Sequence, residues 1–226
     1  MKGIVFEGGG ASAYCHIGVV KYLEEIGREY NYIAGSSSGA LIAVFYGAGF
    51  TARQMEDICR GIKFPVPRIW SALYNLYRGY GILSTDFIVD IVRKHIGDIT
   101  IAQYEALYGR QLLITACKNF KVQYFDASSP DKLPDIVARS CAFPFVFAMR
   151  DGYNDGGIVA NFPYAKLQDI FFAKYGEKSE EKITGIFIKR RGEFAEKKAA
   201  LYLSMPLIYL TQLQRPTHMK PIPRPN

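Results

Sequence analysis

The chain has 226 residues, 49% of them hydrophobic and 22% charged, with a net charge of +7 at neutral pH, a composition that suits one domain with a sizeable core. No run reaches the roughly 18–20 unbroken apolar residues of a spanning helix, because Ala199 to Leu213 is shorter and contains Pro206. The four cysteines, Cys15, Cys59, Cys117 and Cys141, include no C-x-x-C pair, which suits reduced thiols buried as small hydrophobes and gives no metal signature.

Lys2 to Phe6 reads as a first strand that runs straight into Glu7-Gly8-Gly9-Gly10-Ala11, followed by a helical spacing at Ile17, Val20, Leu23 and Ile26. Successive glycines between a strand end and a helix start expose backbone N–H groups that can cradle a phosphate or hold an oxyanion. The phosphate reading fails on detail. No Lys-Ser or Lys-Thr follows the glycines, and Gly8-x-Gly10-x-x-Ala13 is a degraded dinucleotide fingerprint. A loop that merely packs closely against its neighbours is the plain alternative.

The next apolar run, Tyr32-Ile33-Ala34, leads into Gly35-Ser36-Ser37-Ser38-Gly39 and a helix-forming stretch from Ala40 to Phe45. This is G-x-S-x-G at a strand-to-helix corner, the pattern of a nucleophile elbow. Gly35 and Gly39 let the backbone turn sharply, so that the Ser37 hydroxyl projects while the following helix aims its positive end at the same point. The spacing alone is also what an ordinary loop looks like, and only the strand-turn-helix setting separates the two.

Thr51 and Thr100 are expected helix N-caps, Gly97 and Gly109 helix stops, and Phe87 to Ile96 a helix. Between Gly61 and Gly81 an irregular stretch carries Phe64, Trp70, Tyr74, Tyr77 and Tyr80, which fits a lid or a lipid-facing segment as well as core packing or a dimer contact. Leu112 to Ala116 and Val122 to Phe125, joined through Lys118 to Lys121, form an expected antiparallel hairpin. A helix and loop over Asp135 to Pro144 follow. Asp155-Gly156-Gly157 then comes after a hairpin turn and before the apolar pair Ile158-Val159. Asp-Gly is ordinarily turn chemistry, and Asp151 has an equal claim to that plain role. Ile183 to Ile188 is a last strand, Glu193 to Leu213 a helix-like run, and the Pro-rich end an irregular tail. The alternation predicts an α/β fold: a three-layer α/β/α sandwich with a mainly parallel central sheet, one domain over 1–215 and a flexible tail over 216–226.

Glycine loop, elbow and Asp-Gly-Gly in this order resemble the patatin-like phospholipase family, marked by an Asp-Gly-Gly-Gly-x-Arg/Lys-Gly loop, a G-x-S-x-G elbow and a downstream Asp-Gly-Gly/Ala. The resemblance runs from Gly3 to about Pro163 and includes the segment Asp135 to Pro144. It implies Ser37 as nucleophile, Asp155 as its partner in a two-residue dyad, and Gly8, Gly9 and Gly10 as the oxyanion loop. Three positions depart from the pattern: Glu7 replaces Asp, Ser12 replaces Arg or Lys, and Ala13 replaces Gly. The loop's positive charge is therefore missing, which leaves a catalytically weak or inactive lipid-binding or scaffold relative as the alternative to an active enzyme.

The implied chemistry is hydrolysis of phospholipid or glycerolipid esters through an acyl-enzyme, with Asp155 as the base and with no cofactor, metal or calcium. A His-assisted triad is the rival, tested by three histidines: His16 near the glycine loop, His95 in a helix and His218 in the tail. The basic cluster Lys189-Arg190-Arg191, Lys197-Lys198, Arg215, Lys220 and Arg224 favours a peripheral anionic membrane surface. No nucleic-acid-binding motif accompanies that charge. The apolar start is interrupted at Glu7, so no secretory signal is expected and the protein is expected in the cytosol, with nonclassical export as an effector the alternative.

Overall fold

The computed structural model describes residues 1–62, 81–176 and 182–188. The aromatic-rich lid segment, apart from its ends, the basic cluster from Lys189 onward, the helix-like run from Glu193 and the Pro-rich tail all lie outside the described residues.

In chain order the elements are β1 (Gly3–Phe6), a 3-10 turn (Gly10–Ala13), α1 (Tyr14–Glu25), β2 (Tyr32–Ser36), α2 (Ser38–Gly47) and α3 (Ala52–Arg60). They continue with α4 (Asp86–His95), α5 (Ile101–Tyr108), β3 (Gln111–Lys118), β4 (Lys121–Phe125), α6 (Leu133–Ser140), β5 (Tyr153–Asp155), α7 (Gly157–Ala160), α8 (Tyr164–Tyr175) and β6 (Ile183–Ile186). The strand order is β4-β3-β2-β1-β6, with β5 paired to β3. β1 runs parallel to β2 and to β6, and β2 runs parallel to β3, while β4 and β5 are antiparallel to β3. The sheet is therefore mixed and mostly parallel, and helices flank it.

Successive strand residues point to opposite faces, so Ile4 and Phe6 join one apolar cluster and Val5 the other. The larger cluster packs Ile33, Leu112 and Ile114 against Val20, Val44, Val92, Tyr104 and Ile136 from five helices. On the other face, Tyr32, Ala34 and Leu113 pack against Leu167 and Phe171 of α8. Burial on both faces is why these strands read as continuous apolar runs.

Local signals act where expected. Thr51 and Thr100 each close a capping box, with Gln54 and Gln103 as the reciprocal partners. Gly109 ends α5 at φ 67°, and Gly97 follows α4 at φ 106°. The β3–β4 hairpin turns at Asn119 and Phe120, both at positive φ, which matches the right-handed twist of the paired strands. Two expectations are corrected. Ile26 lies beyond α1 and is exposed, and Cys15 is exposed on α1 because it points away from the face that buries His16, Ile17, Val20 and Leu23.

Candidate active site

Ser37 lies between β2 and α2 with φ 53° and ψ −132°, a region that L residues rarely occupy and that costs on the order of 1–3 kcal/mol. The sharp turn is thus made by the serine and not by its flanking glycines, neither of which has positive φ. The glycines serve close packing. A Cβ on Gly39 would lie 2.5 Å from Phe6 O, and one on Gly35 would collide with Gly39 O. The Ser37 N–H donates to Ser140 Oγ at 2.8 Å, and the Ser140 hydroxyl donates to Thr115 O at 2.6 Å. The C-terminal residue of α6 therefore ties the elbow to β3.

Sheet register brings Asp155 to the same corner. β2 pairs with β3 as far as Ser36 opposite Thr115, and β5 takes over that edge at the next residue, with Asp155 opposite Ala116. Ser37 Oγ donates to Asp155 Oδ2 at 2.5 Å, and the Gly157 N–H donates to Oδ1 at 2.6 Å. The carboxyl is 1% exposed, and burial pushes its pKa up from 3.8 to about 7 against the lowering pull of the bonds from Ser37 and Gly157. A base with that value near neutral pH is matched to taking a proton from an alcohol.

The rival aspartate does something else. Asp151 sits in the turn before β5 at φ 53°, and its Oδ2 receives Arg139 Nε at 2.9 Å and Nη2 at 2.8 Å. Arg139 also holds Asp131 and lies over the Tyr153 ring. Arg150 pairs with Asp86 and Asp135. These ion pairs brace α6 and the turn that feeds β5.

The glycine loop begins one residue after β1. The Gly8 N–H donates to Asn161 O at 3.0 Å, so of the three glycines Gly8 is occupied by backbone and is not free to hold an anion. The Gly9 N–H donates to Ser38 Oγ at 3.0 Å, a hydroxyl that can rotate away. Gly10 adopts φ 56° at the start of the 3-10 turn. Glu7 Oε2 accepts the Ile188 N–H at 2.6 Å and Oε1 accepts from Asn161 Nδ2 at 3.2 Å.

His16 is buried, donates from Nε2 to Glu7 O at 2.7 Å and meets Phe6 edge-on, while its Nδ1 has no partner among the described residues. Burial lowers its pKa, so the ring is held neutral as a strut for the loop. His95 meets the rings of Phe45 and Phe50 edge-on. Neither bonds to Ser37 or Asp155. Among the described residues no group of three His, Cys, Asp or Glu side chains could hold a metal, and no helix is long and apolar enough to cross a membrane.

Ser38, Ser140 and Asn161 were not singled out by sequence reasoning. Ser140 lies inside the segment Asp135 to Pro144, and Asn161 stands two residues before Pro163, but nothing local marks either as a partner of residues more than a hundred positions away.

A model of the patatin-like phospholipase family matches residues 4–167. An uncharacterized NTE family protein of Mycobacterium bovis is 31% identical over 167 residues, covering 72% of this chain and 44% of its own. The uncharacterized protein YqhO of Bacillus subtilis is 24% identical over 196 residues, covering 70% of this chain and 64% of its own. The chain thus spans less than two thirds of the length of these relatives. Among solved structures, VipD from Legionella pneumophila aligns with a TM-score of 0.49 at 14% identity, over 90% of this chain and 53% of VipD. The type III effector ExoU aligns at 0.44 and 18%, over 64% of this chain and 39% of its own.

Proposed function

The chain belongs to the patatin-like phospholipase family, and from that premise we propose that it is a serine lipid acyl hydrolase of phospholipase A type, with Ser37 as nucleophile and Asp155 as its base. Membership supports a lipid hydrolase at the level of the family. The observation that carries the finer reading is the buried carboxyl of Asp155 at 2.5 Å from the Ser37 hydroxyl. A serine hydroxyl is a weak nucleophile until a neighbouring base takes its proton.

Ser37 Oγ attacks the ester carbonyl as its proton passes to Asp155 Oδ2. The carbonyl electrons move onto oxygen, and the N–H groups of Gly9 and Gly10 receive that anion once Ser38 Oγ has turned away, while Gly8 holds the loop. Collapse breaks the bond to the alcohol, which leaves with the proton from Asp155. Water then gives a proton to Asp155 and attacks the acyl group, and Ser37 recovers its proton as the fatty acid departs. The positive end of α2 favours negative charge at this corner throughout.

A lipid substrate fits the loop between Ser140 and β5, where Phe143, Phe145, Val146 and Met149 are exposed within seven residues. With the net charge of +7, that rim suits action at an anionic membrane surface. The second reading is a catalytically weak or silent family member that keeps the fold. It is favoured by Ser12 and Ala13 in place of the family's basic residue and glycine, and by a Gly9 N–H that bonds to Ser38 at rest. A serine-directed fluorophosphonate separates the two: labelling of the wild type but not of Ser37→Ala supports the enzyme, and no labelling of either supports the silent member. Mass spectrometry of products from mixed-lipid vesicles then identifies the bond cleaved.

A further inference from the structure

We infer that Asn161 is a positioning residue for the oxyanion: by gripping both ends of Gly8 it aims the next amide, the Gly9 N–H, at the reacting carbonyl. The inference rests on the serine hydrolase reading above and adds to it a residue that touches neither Ser37 nor Asp155.

Asn161 holds Gly8 twice. Its backbone carbonyl accepts the Gly8 N–H at 3.0 Å, and its side-chain Nδ2 donates to Gly8 O at 2.9 Å. The second N–H of the same amide group goes to Glu7 Oε1 at 3.2 Å. Both of these partners only accept, so the nitrogen must face them and the amide cannot be flipped without loss of both bonds. Its Oδ1 sits in space that two glycines leave open. A Cβ on Gly157 would come within 2.7 Å of Oδ1, and one on Gly8 would collide with it. The amide is therefore wedged between the glycine loop and the start of α7, two residues after Asp155.

The consequence follows from the planar trans peptide, in which the C=O of one residue and the N–H of the next point in opposite directions. Pinning Gly8 O onto Asn161 sends the Gly9 N–H the other way, and in the resting structure it meets Ser38 Oγ, one residue from the nucleophile. A hydroxyl is a replaceable acceptor that keeps the amide aligned until a substrate oxygen takes its place. Glu7 completes the clamp, since its other oxygen accepts the Ile188 N–H at 2.6 Å. Where the family pattern has a basic residue in this loop, the chain has Ser12. Asn161 and Glu7 supply a neutral-donor and carboxylate anchor in its place.

The test compares Asn161→Ala and the isosteric Asn161→Asp, which turns the donor into an acceptor facing two acceptors. Both are assayed on a soluble p-nitrophenyl ester and titrated with a trifluoromethyl ketone, whose carbonyl adds reversibly to Ser37 and places an oxyanion in the same position. Loss of one aimed donor lowers kcat by about 10²-fold or more. The expected pattern is that loss in kcat with KM changed by less than about threefold, and a parallel loss of ketone affinity. In the neutral Asn161→Ala the pH midpoint near 7 that belongs to Asp155 stays where it is, whereas the new carboxylate of Asn161→Asp, close to Asp155 across Gly157, moves that midpoint up. A purely structural role would instead leave the ketone affinity of the folded variant unchanged and shift the midpoint of Asn161→Ala. A folded variant with kcat within about threefold of wild type overturns the inference, as does a loss confined to KM. If neither variant folds, Asn161 is a strut and the inference also fails. Hydrolysis by Ser37→Ala at the wild-type rate would sink the Ser37 mechanism on which the inference rests, an outcome read separately from either Asn161 variant.

Discussion

The two sides of the candidate site are held in different ways. On the proton side, Ser37 and Asp155 meet because β2 ends and β5 begins on the same edge of β3, one residue apart in register. Backbone ladders with cores on both faces set that distance. On the anion side, the glycine loop has left the sheet, and one backbone bond, from the Gly8 N–H to Asn161 O, is joined by side chains that hold it: Asn161 on Gly8, Glu7 on Asn161, Ser38 on Gly9 and His16 on Glu7. The proposed proton pair thereby inherits the rigidity of the fold, whereas the proposed anion donors depend on a few replaceable bonds. Substitutions on the first side remove a chemical group, and those on the second misaim one.

The largest effect tests the proton side directly. Ser37→Ala and Asp155→Asn are each expected to lower kcat by about 10⁴-fold or more on any ester, measured with soluble substrate at saturating concentration. Either variant within tenfold of wild type would break the assignment of that residue, a threshold of about 1.4 kcal/mol.

The next effect is in pH. Asp155 must be ionised to accept a proton, so kcat/KM is expected to fall about tenfold per unit below its value near 7 and to level off above it. Stability runs the other way. The folded carboxyl keeps its proton up to about 7 while the unfolded chain releases it near 3.8, so stability decreases as pH rises through that window, by a few kcal/mol at most. Asp155→Asn, which cannot ionise, is therefore expected to melt above wild type at pH 8, with the gap closing towards pH 4. A gap that is constant across pH would mean that Asp155 is not the group whose burial raises its pKa.

Ser140→Ala probes the elbow. It removes the acceptor of the Ser37 N–H and leaves that part-buried donor unsatisfied, at a cost of roughly 1–3 kcal/mol in stability. A drop in kcat of about tenfold should accompany it, since a strained serine loses one of the contacts that holds its backbone. Chemical denaturation and single-turnover kinetics on the same preparation read both. Smallest in turnover is His16→Ala, expected to lose roughly 2–4 kcal/mol of stability with its buried ring and the strut to Glu7 O while kcat of the folded enzyme stays within about threefold. Abolished turnover in a folded His16→Ala would revive the triad.

The elements that could be read beforehand are those whose causes are local. β1, β2 and β3 are apolar runs because they are covered on both faces, Thr51 and Thr100 cap helices through glutamines three residues on, and Asn119 and Phe120 turn a hairpin within four residues. Ser37 and Asp155, the proposed nucleophile and base, were legible as motif positions, although the sharp turn falls on the serine and the glycines around it only clear space. What remained hidden acts across the chain. β5 has three residues, too few for a periodic signal, and pairs only because β3 offers a vacated edge. Ser140 reaches Ser37 across 103 positions and Asn161 reaches Gly8 across 153. The order of the residues determined which groups are present and which local turns and helices they form, because those depend on neighbours a few bonds away. Tertiary packing alone decided which aspartate is the buried partner, which glycine is occupied and what aims the loop, because each of those is a hydrogen bond closed only after distant segments share one sheet.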